Sequence, residues 1–198
     1  MRLWARRKHM LPQYLILLCS FIVMPLIGTR SFFLPGLLGG DSRFPVALIT
    51  VIPLSLLMSH VFSDNTDFER TSVVPLPLMT LVHLTVIYCI AAVLSLVASV
   101  VLGPGVWVYL RALIGLVSLG LIAGMLWGER VSVVVPALFF CLASFVGTDP
   151  YTYQPLWWNF LLADYDNLAT FILVTVLMGM SMCMILFTGT KMRRPASR

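Results

Sequence analysis

Six apolar stretches, at roughly residues 11–28, 46–62, 77–102, 106–127, 131–147 and 169–188, occupy most of this chain and decide what it can fold into. Each approaches the ~20 residues that an α-helix needs to cross a bilayer core about 30 Å thick. Within lipid the backbone must satisfy its own hydrogen bonds, which helices of this length do. Of the 198 residues, 60% are hydrophobic and only 11% are charged, and the mean hydropathy is +0.97. Charged residues make up roughly a quarter of a soluble domain, so a soluble globular fold is excluded. No segment is polar and charged enough to stay disordered. The net charge of +5 comes from basic residues near the two ends rather than on a folded face, which argues against nucleic-acid binding. The expected fold is an all-α polytopic membrane protein, one transmembrane domain over residues 1–198 with six helices.

The first stretch follows Arg2, Arg6, Arg7 and Lys8, as the apolar region of a signal peptide would. No small-residue cleavage pattern follows, and bulky Leu18 spoils a lipoprotein site before Cys19, so the segment reads as an uncleaved anchor. Pro53 should kink the second stretch, and Pro136 lies inside the fifth. Gly103, Pro104 and Gly105 turn the chain after the third stretch, and Glu129 and Arg130 mark a tight turn after the fourth. Six crossings put both termini on one side. With that side cytoplasmic, the inner basic residues are Arg2, Arg6, Arg7, Lys8, Arg70, Arg130, Lys191, Arg193, Arg194 and Arg198. Arg30 and Arg43 fall outside, and Arg111 lies in the membrane. This is the positive-inside bias, contributed by both ends separately.

Several features bear on function. The segment Ser63–Pro77 holds Asp64, Asp67, Phe68, Glu69, Arg70 and Thr71, the most polar run in the chain. It reads either as a short interfacial helix docking on a cytoplasmic partner or as a solvated loop. Ser63 or Asp64 would cap such a helix. Arg111, about five residues into the fourth stretch, needs a partner at membrane depth. The candidates are Asp41, Asp149, Asp164 and Asp166, in a structural tie or a substrate contact. Gly120, Gly124 and Gly128 recur every four residues and make a strip for close helix packing. The outer loop 148–168 carries Tyr151, Tyr153, Trp157, Trp158 and Tyr165. It reads as an interfacial aromatic belt or as a gate over a pathway, with Arg111, Trp157, Trp158, Asp164 and Asp166 as its residues. The run Pro155–Ala163 forms a short helix in the interface or re-enters between the spans.

His60 and His83 are placed to face each other in adjacent helices, which allows haem or metal ligation or plain hydrogen-bonded packing. Cys19, Cys89, Cys141 and Cys183 show no metal-ligand spacing and read as packing residues, as do Met178, Met180, Met182 and Met184. The chain has no phosphate-binding G-x-x-x-x-G-K-[ST], no H-E-x-x-H and no G-x-S-x-G. Its spans contain no Asp or Glu to relay protons or sodium. An enzyme is not expected, and neither a metal nor a cofactor is required. Energy for any uphill transport must come from another chain.

In layout the chain resembles the membrane subunits of bacterial type-2 ABC exporters. In those, the cytoplasmic connection between spans two and three forms a coupling helix on the ATPase, and the outer connection between spans five and six holds short re-entrant helices. Asp64–Pro77 and Pro155–Asp166 occupy those places. Phe68-Glu69-Arg70-Thr71 before Pro75, Arg111 opening span four, and Gln154-Pro155 before span six resemble small actinobacterial membrane proteins of this layout. The resemblance implies a non-catalytic subunit in the bacterial plasma membrane. It would couple to a cytoplasmic ATPase subunit to export a peptide, drug or lipid-like molecule. At 198 residues the chain is short for such permeases, which suggests pairing with a second membrane subunit or with a copy of itself. The rival expectation is a structural or assembly subunit of a larger respiratory or secretion complex, with haem at His60 and His83 as a variant.

Overall fold

The structure, a computed structural model, describes residues 10–27, 31–35, 41–45, 55, 76–103, 105–149, 151–152 and 154–191. These form α1 (Met10–Ile27), β1 (Ser31–Pro35), β2 (Asp41–Pro45), α2 (Leu76–Leu102), α3 (Val106–Trp127), α4 (Glu129–Val146) and α5 (Leu168–Lys191). The protein is mostly helical. Three helices are long and apolar enough to cross a membrane: Thr80–Leu102, Val106–Trp127 and Leu168–Phe187. Tyr14–Val23 and Arg130–Val146 are shorter apolar helices. Five of the six expected stretches thus coincide with helices. The stretch at 46–62 lies outside the described residues except for Ser55, which is helical and buried. One departure from an all-helical expectation is the antiparallel pair β1–β2, with Ser31 opposite Pro45 and Pro35 opposite Asp41. Phe32 and Phe33 suit this extended backbone, and the ladder satisfies main-chain groups of the connection that follows α1.

The chain turns where glycine permits it. Gly103 ends α2 at φ +82° and Gly128 ends α3 at φ +98°, a region other residues rarely enter. The Gly128 N–H donates to the Gly124 carbonyl at 2.9 Å, and α4 starts at once. The turn expected on Glu129 and Arg130 therefore falls one residue earlier, and both belong to the first turn of α4. Gly128 is accordingly an exposed turn residue and not part of a packing strip, whereas Gly120 and Gly124 are buried in α3. α4 continues through Pro136, which removes the amide that would serve the Ser132 carbonyl.

Two contacts set the helix directions. Near their starts, Tyr14 Oη of α1 and His83 Nδ1 of α2 are hydrogen-bonded at 3.0 Å. Further along α1, the Phe21 ring meets Tyr109, near the start of α3, edge-on at 5.1 Å between centroids. α1 and α2 therefore run in the same direction, and α3 returns. α5 begins beside the start of α3, where Arg111 donates to Thr170.

α3 is the centre of the bundle. In its membrane-length window 72% of residues are buried, against 28% for α2 and 22% for α5. The outer helices instead turn apolar faces away from the protein. On α2 these are Val82, Val86, Val93, Val97 and Val100, and on α5 Leu168, Ile172, Val176 and Met180. The same pattern holds on α4 at Val134, Leu138 and Leu142. Helices that are apolar both inside and outside have lipid as their natural surroundings. The four cysteines lie on this outward surface and are unpaired thiols.

The parallel packing of α1 and α2 makes a direct prediction. With the native cysteines removed, Tyr14→Cys with His83→Cys should be joined by a short bifunctional thiol reagent. Tyr14→Cys with Ser99→Cys should not, because Ser99 lies ~24 Å further along α2 at 1.5 Å per residue. Gel mobility after cross-linking reads the difference.

Candidate functional site

The site with the most concentrated polar chemistry lies where α3 and α5 begin. Arg111 stands about one and a half turns into α3 and is only 1% exposed, the largest fully buried side chain among the described residues. A guanidinium there must have its N–H groups satisfied by protein. Its Nε donates to the Phe160 carbonyl at 2.9 Å, and Nη1 donates to the Asp164 carbonyl and to Thr170 Oγ1, both at 2.8 Å. Nη2 donates to the Ala163 carbonyl. The guanidinium carbon also lies 5.3 Å from the centre of the Phe171 ring, a cation–π arrangement. Four of the five guanidinium N–H groups are thus used, in the fork geometry that lysine lacks. The expected partners were the carboxylates of Asp41, Asp149, Asp164 and Asp166. Three donors go to backbone carbonyls and one to the Thr170 hydroxyl instead, and Asp164 offers its main-chain oxygen. The reason is spatial. The segment 160–164 brings several carbonyls to one point, whereas the Asp164 side chain is exposed.

The segment that Arg111 holds is built from the C-terminus of α4 onward. After Gly147 the chain makes a small hairpin, with Thr148 bridged to Pro155. Asp149 Oδ1 accepts the Tyr151 N–H at 2.8 Å, so this exposed carboxyl titrates below its ordinary range. Residues 156–164 then enter the bundle. Asn159, Phe160, Leu161 and Ala163 are all buried. Only one α-type turn forms there, from the Ala163 N–H to the Asn159 carbonyl at 3.1 Å, so the expected short helix over Pro155–Ala163 is a single turn.

Asn159 fastens this turn to α4. Its Nδ2 donates to the Ala143 carbonyl at 3.0 Å and to the Gly147 carbonyl at 2.9 Å, main-chain acceptors at the end of α4. Its Oδ1 accepts the N–H groups of Leu161 and Leu162, each at 3.3 Å. A Cβ at Gly147 would collide with this amide. Phe160 stacks on Phe139 of α4, with centroids 4.8 Å apart and 12° between planes. A Cβ at Gly115 of α3 would land on the Phe160 ring. Asn167 caps α5. Its Oδ1 accepts the Thr170 N–H at 3.3 Å, and its carbonyl accepts the Thr170 hydroxyl at 2.8 Å. Thr170 therefore links the cap to Arg111.

Of the residues singled out as a gate, Arg111 and Asp164 meet. Trp158 is half-buried with its ring edge-on to Phe139 at 5.9 Å. Trp157 and Asp166 are exposed, as are Tyr151 and Tyr165, where aromatic side chains would sit at a membrane boundary. Asp64, Asp67, Phe68, Glu69, Arg70 and Thr71 lie outside the described residues, and so does His60. His83 is buried and bonded to Tyr14. Among the described residues no group of three His, Cys, Asp or Glu could hold a metal. Asn159, Phe160 and Thr170 are site residues that no motif in the sequence marks. A lone amide in the apolar run Trp157–Leu162 was the available signal, because an amide in such surroundings must find partners. Asn167 three residues before Thr170, ahead of an apolar run, was the signal for the cap.

No protein-family model, no curated protein and no solved structure matches this chain.

Arg111→Met should orphan the carbonyls of Phe160 and Ala163, at roughly 1–3 kcal/mol for each buried acceptor. We expect a lower melting temperature in detergent and faster proteolysis between Gly147 and Leu168. Arg111→Lys should recover little, since a lysine ammonium is a point donor on a flexible stem. A second prediction concerns the wedge. Gly115→Ala should destabilise the parent by about 1–3 kcal/mol through overpacking, and much less in a Phe160→Leu background. Equal effects in the two backgrounds would mean that Gly115 and Phe160 do not press on each other.

Proposed function

We propose that this chain is a multi-pass, non-catalytic membrane subunit that crosses the bilayer six times with both termini in the cytoplasm. The directions of α1 and α2 support an intervening return crossing. The basic residues before α1 and after α5 favour an inner location for the ends where α1 starts and α5 finishes. The Arg111 end is then the outer face.

Within that frame the chain acts as the permease subunit of an ABC-type exporter. A separate cytoplasmic ATPase couples through Asp64, Asp67, Phe68, Glu69, Arg70 and Thr71, and a second membrane subunit or another copy completes the pathway. The observation that carries this reading is the segment 156–164, which enters the bundle from the outer side between the last two helices and is locked by a buried arginine. A structured re-entrant connection at that place matches the layout that the sequence resembles. The polar side chains buried there, Arg111, Asn159 and Thr170, are all occupied in holding the chain, which fits a closing element better than a reactive centre. The cargo, a peptide, drug or lipid-like molecule, rests on that resemblance alone.

One observation favours a second reading, an assembly subunit of a larger respiratory or secretion complex. α3 is packed on most of its surface and Phe160 fills the space beside Gly115, so this part of the bundle is a solid rather than a conduit.

Purification in mild detergent with mass spectrometry of partners separates the two. The exporter reading expects an ATP-binding protein to co-purify, and to be lost from a Glu69→Ala, Arg70→Ala double variant whose melting temperature is unchanged. Retention of the chain in a complex that lacks any ATPase would replace it with the assembly reading.

A further inference from the structure

Arg111 and Arg130 stand at opposite ends of the α3–α4 hairpin and are treated in opposite ways. The first is buried and spends its donors on protein. The second is exposed in the first turn of α4, and its guanidinium has no hydrogen-bond or ion-pair partner among the described residues. Glu129 precedes it by one position, ~100° round the helix, where residues do not share a face.

Arg130 is the foot of a column. Counting in fours from it along α4 gives Val134, Leu138 and Leu142, each at least half exposed. Residues four apart lie on one face of a helix. α4 therefore presents a single stripe that is cationic at its start and apolar for the next ~18 Å, at 1.5 Å per residue. Half of a ~30 Å hydrocarbon core is ~15 Å, so the stripe is as deep as one leaflet, with the charge at the boundary. Leu126 and Trp127 end α3 and are exposed beside this foot, because Gly128 passes straight from one helix to the next. An exposed indole at that level is typical of the membrane–water boundary. The opposite end of the hairpin instead exposes Asp164 and Asp166. The exposed valines of α2 belong to a helix with no charged residue at all.

We propose that this stripe of α4 is a docking site for an anionic phospholipid of the leaflet in which α3 ends. The headgroup phosphate lies on Arg130 beside Trp127, and one acyl chain runs along Val134, Leu138 and Leu142. A phosphate takes the paired N–H donors of a guanidinium, and the chain meets only apolar side chains. A zwitterionic lipid carries an ammonium next to the same phosphate, which cancels most of the net attraction. The inference rests on the membrane reading of the chain and not on the exporter reading.

The test uses the full chain in mild detergent. It is titrated with phosphatidylglycerol or with phosphatidylcholine of the same acyl chains, and retained lipid is counted by native mass spectrometry. The parent should prefer phosphatidylglycerol. Arg130→Gln should reduce that preference about fivefold, the factor that ~1 kcal/mol per basic residue at an anionic surface corresponds to. Arg130→Lys should keep most of it, since the positive charge remains. An unchanged preference in Arg130→Gln overturns the proposal. Phosphatidylglycerol with a photoreactive group on its acyl chain should label residues 131–142, and labelling confined to other helices overturns it. Inorganic phosphate should not displace the lipid. Displacement would mark a site for a free anion and overturn the lipid assignment. The membrane reading is checked separately by floating the parent with phosphatidylcholine vesicles. Failure to float removes that reading and this proposal together, whereas floating with an unchanged Arg130→Gln preference removes only the lipid site.

Discussion

The described structure depends on how one guanidinium is satisfied in an apolar bundle. A positive charge at membrane depth costs several kcal/mol unless its donors are occupied. Arg111 meets that demand with main-chain carbonyls, which are themselves in need of donors because residues 156–164 form only one α-type turn. Each side repairs the deficit of the other. The carbonyls of an incomplete helical turn point their negative ends at the cation, and Thr170 and Phe171 close the remaining directions. The result is a non-helical segment inside an apolar helical bundle, which is stable because protein buries it and supplies its hydrogen bonds.

Packing follows from the same place. The segment can enter because α3 presents Gly115 opposite Phe160, and α4 ends at Gly147 opposite Asn159. Small residues here make room for a foreign loop as much as for another helix. α3 thereby contacts α2, α4, α5 and the inserted turn, and becomes the buried core around which the helices with exposed apolar faces are arranged. A polar amide and a charged side chain hold the inserted turn from opposite directions, Asn159 to α4 and Arg111 to α3. Directed hydrogen bonds of this kind fix position in a setting where hydrophobic burial offers little preference, since lipid is as apolar as the protein.

Much of this was legible beforehand. The apolar runs located α1 through α5 to within a few residues, because the length of a membrane helix and its lack of charge are both written in composition. The Gly103–Gly105 break and the aromatic character of 148–168 were equally plain. Other points were not. Gly128 looked like a packing residue because its spacing from Gly120 and Gly124 continues a helical face, yet positive φ makes it the stop. Arg111 looked like half of an ion pair because sequence lists carboxylates and cannot list carbonyls. The strands at 31–35 and 41–45 carry a short aromatic run of the kind that also suits a loop.

By itself the sequence determined that this chain is built of apolar helices, where they begin and end, and that Arg111 must have a partner. Those are consequences of solvation, and solvation is a property of residues one at a time. Only the tertiary structure decided that α1 packs against α2 and α3, that 156–164 folds inward instead of lying across the bundle, and that backbone oxygens answer the arginine. Each of those depends on distant segments converging on one point, and periodicity carries no record of which segments those are.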